Sequence, residues 1–204
     1  MATHNRPLSD SDLDPDPAVQ FRRWFELAQA EDVFEPEAMA LATTTADGSP
    51  SLRMVLMKGF DERGLTFFTN YGSRKGGELD GNPRAALLFY WPEQGRQVRI
   101  EGPVERVVRD ETVAYAHNRA RGSQLSALAS PQSRPVPGRE WLEQRVAELE
   151  AEHPGELPVR EDWGGFRVRP EAWEFWQHRS SRLHDRFRFE PQAGGGWTRQ
   201  RLGP

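Results

Sequence analysis

Residues 38–58 read AMALATTTADGSPSLRMVLMK. From Ala38 the apolar period is two, the spacing of a strand with one buried face. AMALATTT therefore predicts a strand, ADGS a turn whose glycine suits positive φ, and PSLRMVLMKGF a second strand. The pattern continues downstream. DERG is another turn, LTFFTN a third strand, and YGSRKGGELDGNP a loop feeding a short helix. RAALLFYW is a fourth strand, and PEQG is a hairpin connection into a fifth, RQVRIEGPVERVV, with a bend expected at Gly102-Pro103. Successive short strands with tight turns predict an antiparallel barrel or sandwich.

Upstream, residues 1–16 read as a flexible or loosely docked arm. Asp16-Pro17 gives an N-cap followed by Pro at the first helical position. The helix beyond it carries Phe21, Phe25 and Ala28 on one apolar stripe. After the fifth strand, RDETVAYAHNRA and GSQLSALAS predict two short helices and PQSRPVPG a loop. REWLEQRVAELEAEH predicts an amphipathic helix, with Trp141, Val146 and Leu149 on or near one face. Strands return in WGGFRVRP, AWEFWQ, RLHDRFRFE and, past PQAGGG, WTRQRL. Strands at both ends with helices between them predict one α+β unit over residues 17–204.

The 204 residues carry 27 basic and 31 acidic side chains, a formal net charge of −4. That balance argues against a nucleic-acid binder, which needs a net basic surface. Cysteine is absent, so disulfides, thiolate metal sites and Cys nucleophiles are excluded. The five histidines, at 4, 117, 153, 178 and 184, are scattered, and no metal site is expected. No apolar run approaches a membrane span and the N-terminus lacks a signal-peptide core, so the cytoplasm is the expected compartment.

Five clusters carry possible chemistry. Ser73-Arg74-Lys75-Gly76-Gly77 opens a predicted helix, which suits a phosphate cradle as well as a solvated, capped turn. Arg53 and Lys58 lie five apart on one predicted strand and point to opposite sides unless the strand bends or one lies at its end. Gln97, Arg99 and Glu101 alternate with Val98 and Ile100, giving either a solvent face or a site-lining one. In RLHDRFR, Arg182, His184, Arg186 and Arg188 are expected on one strand face. Such a cationic row fits an anion or electron-rich ring laid against it, or an exposed sheet edge. Tyr115, Arg119 and Ser123, spaced four and four, share a helix face and form either a second phosphate site or a surface. Trp176 sits beside the cationic row, where it can pack on a planar ligand.

Taken together, PSLRMVLMKGFD, FFTNYGSRKG, NPRAALLFYW, RQVRIEGPVE, SQLSALASPQS, WGGFRV, EFWQ, RLHDRF and the final W…RLGP closely resemble the pyridoxine/pyridoxamine 5′-phosphate oxidase family. They run in family order over four fifths of the chain, and RQVRIEG and RLHDR are long, specific strings.

The resemblance implies an FMN-binding split β-barrel with peripheral helices, forming a homodimer with flavin sites shared between subunits. It implies that Arg53, Thr69, Arg74 and Lys75, with Ser73, hold the FMN phosphate and ribityl chain. Met54, Val55, Leu56, Met57, Lys58 and Phe68 run along the flavin, and Gln97 bonds the ring. Gln132, Ser133, Trp176 and Arg186 complete the flavin site, in this family from across the dimer. Lys58, Tyr115, Arg119 and Ser123 hold the substrate phosphate. Arg182 and His184 contact the substrate's pyridine ring as the catalytic pair. The implied reaction is oxidation of pyridoxamine or pyridoxine 5′-phosphate to pyridoxal 5′-phosphate, with oxygen reduced to hydrogen peroxide. Rival readings are a flavin oxidase acting on another ring, such as a phenazine precursor, and a non-catalytic flavin or pyridoxal-phosphate carrier. This chain departs from the family pattern at His178, where Gly is usual, and at Ala120, where Pro is usual. Its arm, MATHNRPLSDSDLDP, has no Tyr, so the Arg and Tyr pair that often covers the substrate has no match there.

Overall fold

One strand joins two sheets. Strand β6 (Arg96–Arg106) pairs antiparallel with β5 (Arg84–Trp91) on one side and β8 (Ala172–Gln177) on the other. Beyond Gly102-Pro103 it leaves both and pairs with β7 (Trp163–Val168) through Val104–Arg106. The larger sheet runs β10 (Trp197–Leu202), β9 (Asp185–Pro191), β8, β6, β5, β1 (Ala38–Thr44), β2 (Pro50–Leu56). The smaller adds β4 (Gly64–Asn70) to β7, and β3 (Gly59–Asp61) to β4. Every pairing among the described residues is antiparallel, the sheet is curled as a split barrel, and five α-helices among those residues make the fold α+β. This computed structural model describes residues 5–204.

The crossing at Gly102 depends on the absence of a side chain. The segment between β7 and β8 passes directly over it, and a Cβ would stand 1.9 Å from the Arg169 carbonyl oxygen. Arg169 N–H donates to Pro103 O and Glu171 N–H to Glu101 O, which fixes that close approach.

Helix α1 (Pro17–Ala30) fills the hollow of the curled sheet. Asp16 caps it by accepting from Ala18 N–H, with Pro17 at the first helical position as expected. Phe21 is fully buried and meets Phe60, Phe89 and Trp173 at ring distances of 5.0–5.5 Å. Trp24 stands edge-on to Phe175. These rings join Met39, Leu41, Leu87, Val98, Ile100, Phe187 and Phe189 in one core.

Five expectations are corrected. The second strand stops at Leu56 and resumes as the three-residue β3, so Lys58 lies just past a strand end. RLHDRFRFE is a strand only from Asp185. Ser181 and Arg182 adopt left-handed φ of 59° and 62° in a short 3-10 turn, so Arg182 and His184 do not project from a common strand. Arg186 and Arg188 do share a face, but carboxylates of neighbouring strands neutralise them. Glu174 lies 2.8 Å from Arg186, and Glu101 lies 3.3 Å from Arg188. Tyr115 and Ser123 belong to two helices, α3 (Arg109–His117) and α4 (Arg121–Ala129), with Arg119 in the break between them. The helix over Arg139–Glu152, α5, buries only Leu149 of its predicted face and packs on a small satellite core with Leu125 and Leu157.

Of the arm expected to be flexible, residues 1–4 lie outside the described residues. Over residues 5–16, Leu8 and Leu13 are buried, Leu8 N–H donates to Asp185, and Asp10 pairs with Arg199 at 2.8 Å.

Substituting Gly102→Ala forces a backbone shift at the crossing. The expected cost is about 2–3 kcal/mol, a fall in Tm of roughly 4–12 °C. Gly77→Ala, in a helix with nothing within 4 Å of the new carbon, is the control and raises stability by about 0.5–1 kcal/mol. Thermal unfolding of the two variants checks both signs.

Candidate functional site

The edge strand β2, the strand β4, and the helices α2 (Arg74–Gly81), α3 and α4 enclose an open cavity of about 830 Å³. Arg53, Met54, Val55, Leu56, Lys58, Phe68, Thr69, Arg74, Lys75, Tyr115, Arg119, Ser123, Gln132 and Ser133 all line it. Other lining residues were not singled out from sequence, among them Ser51, Asn70, Ser126 and Trp163.

One end of the cavity is built around Lys75. Its residue is only 8% exposed, yet its ammonium meets neutral oxygens rather than a carboxylate. It donates to Gln132 Oε1 at 2.9 Å and Thr69 Oγ1 at 3.0 Å, with Ser73 Oγ at 3.4 Å. Burial, reinforced by the charge of Arg53 and offset by Glu78, pushes Lys75 down to about 8. A buried cation short of countercharge is a ready partner for an anion. Ser73, itself buried, caps α2 by accepting from Gly76 N–H, which orients the helix N-terminus toward the same end. A Cβ on Gly76 would fall 2.1 Å from Tyr71 O, so this turn requires glycine.

Behind these cations lies Glu78, which sequence reasoning passed over. Its carboxylate accepts from Thr43 and Ser51 hydroxyls at 2.5 Å each, Arg53 Nη2 at 3.1 Å and Arg74 Nε at 2.8 Å. Burial alone would raise it, but bonds from Ser51, Thr43, Arg74 and Arg53 outweigh burial and hold it at about 2. The one sequence signal was the i,i+4 spacing of Arg74 and Glu78.

The other end gathers Lys58, Tyr115, Arg119 and Ser123. Phe68 and Tyr115 stack at 3.8 Å and 14°, and the Arg119 guanidinium lies 5.0 Å over Trp163. Burial raises the Tyr115 phenol and lowers Arg119. Lys58 rests 4.0 Å from Glu37.

Seven expected residues are not among those lining this cavity. Met57 is buried in the core, and Ser73 acts through its contact with Lys75. Gln97, Trp176 and Arg186 form successive rungs of one row, Tyr90–Gln97–Trp176–Arg186, on the face of the large sheet opposite the core. Beside that row His184 packs 4.5 Å from Trp176 and 5.3 Å from His178. Arg179 N–H donates to His184 Nδ1, so a neutral ring carries its proton on Nε2. Burial, then the charges of His178 and Arg182, lower His184 and favour that neutral form. Arg182 is exposed in the adjoining turn. Within one chain the structure thus presents a cavity and a separate polar–aromatic row.

Comparison with known proteins places this architecture. Residues 26–153 match a family model described as pyridoxamine 5′-phosphate oxidase, and residues 163–204 match one described as the pyridoxine 5′-phosphate oxidase C-terminal dimerisation region. A pyridoxine/pyridoxamine 5′-phosphate oxidase of Rubrobacter xylanophilus is 56% identical over 198 residues, covering 97% of this chain and 91% of that one. The corresponding protein of Cupriavidus taiwanensis is 57% identical, covering 97% and 93%. The crystal structure of PhzG from Burkholderia lata, in complex with tetrahydrophenazine-1-carboxylic acid, superposes with a TM-score of 0.91 at 35% identity, covering 98% and 100%. A Nostoc punctiforme FMN-binding protein shares the fold at a TM-score of 0.72 and 17% identity. With more than half its length matched by the family model, and relatives alike over nearly the whole chain, this protein belongs to the pyridoxine/pyridoxamine 5′-phosphate oxidase family of enzymes.

Proposed function

We propose that the chain oxidises pyridoxamine 5′-phosphate and pyridoxine 5′-phosphate to pyridoxal 5′-phosphate, using FMN and oxygen, as a cytoplasmic homodimer. The observation that carries this reading is a single cavity with two cationic ends joined by the apolar wall of Met54, Val55, Leu56 and Phe68. Two phosphate-bearing molecules with flat rings match that shape. The relatives named for this reaction are 56–57% identical, against 35% for the phenazine-site protein, which favours the vitamin phosphate over the phenazine reading.

The FMN phosphate belongs at the Lys75 end, held by Arg53, Arg74, Lys75 and the α2 N-terminus, with Thr69, Gln132 and Ser133 toward the ribityl chain. The fit rests on the buried ammonium, which neutral oxygens alone surround. Lys58, Tyr115, Arg119 and Ser123 hold the substrate phosphate. When bound, FMN would supply the two-electron acceptor for hydride from the substrate's 4′ carbon, with oxygen as the final oxidant and hydrogen peroxide as its product. The protein's task is alignment and charge. Arg182 and the Nε2–H of His184 steady negative charge on the ring oxygen. The alcohol yields the aldehyde directly; the amine yields an imine that water hydrolyses.

A second copy supplies what one chain lacks. Gln97, Trp176 and Arg186 stand on a sheet face that also exposes Leu52 (69%), Met54 (63%) and Tyr90 (56%). An apolar face of that kind needs a cover, and the matched dimerisation region spans β7 to β10. Equilibrium sedimentation is expected to return a dimer; a fully active monomer would overturn this arrangement.

The Lys75 shift gives a signed pH dependence. In the empty site its value lies below that of the unfolded chain, so between about 8 and 10.5 the unfolded chain holds more protons and apoprotein stability rises with pH. Anion binding has the opposite sign, because it needs the proton. FMN affinity is expected to rise as its phosphate becomes a dianion near pH ~6, then fall above pH ~8 by up to about tenfold per unit. Lys75→Gln flattens the alkaline limb and weakens binding at pH 7 by about tenfold to a hundredfold. Fluorescence titration of apoprotein with FMN reads both.

Arg182→Ala is expected to keep its yellow colour while kcat/KM for pyridoxamine 5′-phosphate drops about thirtyfold to a thousandfold, the equivalent of roughly 2–4 kcal/mol. Steady-state kinetics alongside flavin absorbance decide it, and wild-type turnover in the variant would remove Arg182 from the site.

A further inference from the structure

We propose that Glu78 is a positioning residue of the anion end, fixing Arg53 and Arg74 so that both guanidiniums serve one phosphate. The inference rests on the assignment of the FMN phosphate to that end. Glu78 is only 5% exposed and is not part of the cavity lining; it lies behind the cations. Its two oxygens divide the work. Oε1 takes Arg74 Nε at 2.8 Å, which leaves the Nη edge of that largely exposed side chain to the cavity it lines. Oε2 takes Arg53 Nη2 at 3.1 Å and the hydroxyls of Ser51 and Thr43. Those hydroxyls accept from Arg53 in turn, and its Nη1 also reaches Leu41 O at 3.1 Å. The guanidinium of Arg53 is therefore locked before any ligand arrives.

Charge balance points the same way. Arg53, Arg74 and Lys75 against one carboxylate leave two formal positive charges, which a phosphomonoester dianion neutralises. Without Glu78 three cations would crowd together, and Lys75, already lowered by burial and by Arg53, would lose the one neighbour that raises it. A carboxylate so near an anion site also repels the anion. That repulsion is muted here because the carboxylate is spread over two guanidiniums and two hydroxyls that stand between it and the cavity.

The test is Glu78→Gln, which keeps shape and removes charge. Three donors converge where Oε2 lies, so the amide oxygen stays there and the amide NH2 meets Arg74 Nε, donor against donor. Arg74 is released while Arg53 remains held. The dissociation constant of the apo variant for FMN is expected to rise about tenfold to a hundredfold at pH 7. Arg74→Lys, which keeps the charge and loses the Nε contact, should show a loss of the same kind, and the double variant should lose no more than the larger single loss. Isotope-edited NMR of the Lys75 ammonium in the apoprotein should titrate at a lower pH in Glu78→Gln than in the wild type, a change that loss of packing alone would not produce. Unchanged or tighter FMN binding in Glu78→Gln would overturn the proposal, because it would make the carboxylate merely a repelling charge. Should Glu78→Gln fail to fold, wild-type FMN affinity in Arg74→Lys overturns it equally. Should the wild type itself not bind FMN, the phosphate assignment falls, and the Lys75 titration decides for Glu78: a lower value supports its action on the cluster, and an unmoved one removes it.

Discussion

A single strand cannot be hydrogen-bonded in two sheets unless it turns out of one and into the other, and β6 does so at Gly102-Pro103. Pro103 donates no backbone hydrogen bond, and Gly102 admits the carbonyl of Arg169 where any side chain would stand. From that crossing the rest follows. The large sheet curls around α1 and its aromatic core, while the small sheet swings β4 and β7 to the side where α2, α3 and α4 pack. The cavity is the gap left between the edge strand β2 and those helices. The site is thus a by-product of splitting a barrel, walled by the edge strand β2, by β4 and by the helices packed beside them.

The electrostatics of the cavity are asymmetric by construction. Lys75 is buried among neutral oxygens and Arg53 is bound to a carboxylate behind it, so one end presents positive potential without losing order. On the opposite sheet face the reverse solution appears: Arg186 and Arg188 are answered within the chain by Glu174 and Glu101. Cations whose charge is offset locally can be brought to an interface at lower desolvation cost than bare ones. The two faces therefore differ in kind: one buries a cation among neutral oxygens, and the other pairs its cations within the sheet.

The strands were legible because their period of two survives in AMALATTT, RAALLFYW and RQVRIEG, and the α2 cap because Ser73 and Gly76 have few structural alternatives. Lys58 could be reconciled with Arg53 only once the strand was seen to end at Leu56. The helix-face grouping of Tyr115, Arg119 and Ser123 named residues that line one cavity, but for an incomplete reason. A break at Arg119, not an unbroken helix, turns them into one cavity. Other features had no local signal. The left-handed pair Ser181 and Arg182 carries no glycine to announce it, and the partners of Arg186 come from another strand. Apart from Arg74 at i,i+4, Glu78 bonds residues 25 to 35 positions away, a distance over which sequence spacing says nothing.

The two ends of the chain are stitched together. Leu8 donates to Asp185 and accepts from Arg201, Arg199 reaches both Asp10 and Leu13 O, and these contacts span 177 to 193 residues wherever Leu8 or Leu13 is involved. Contacts of such separation form late, because closing the long loop costs entropy before any contact compensates it. During synthesis residues 5–16 emerge well before β9 and β10, the strands whose side chains hold them. Leu8 and Leu13 lack these partners until β9 and β10 are in place. Docking of the arm and closure of the sheet are thus coupled: a segment early in the sequence is seated late.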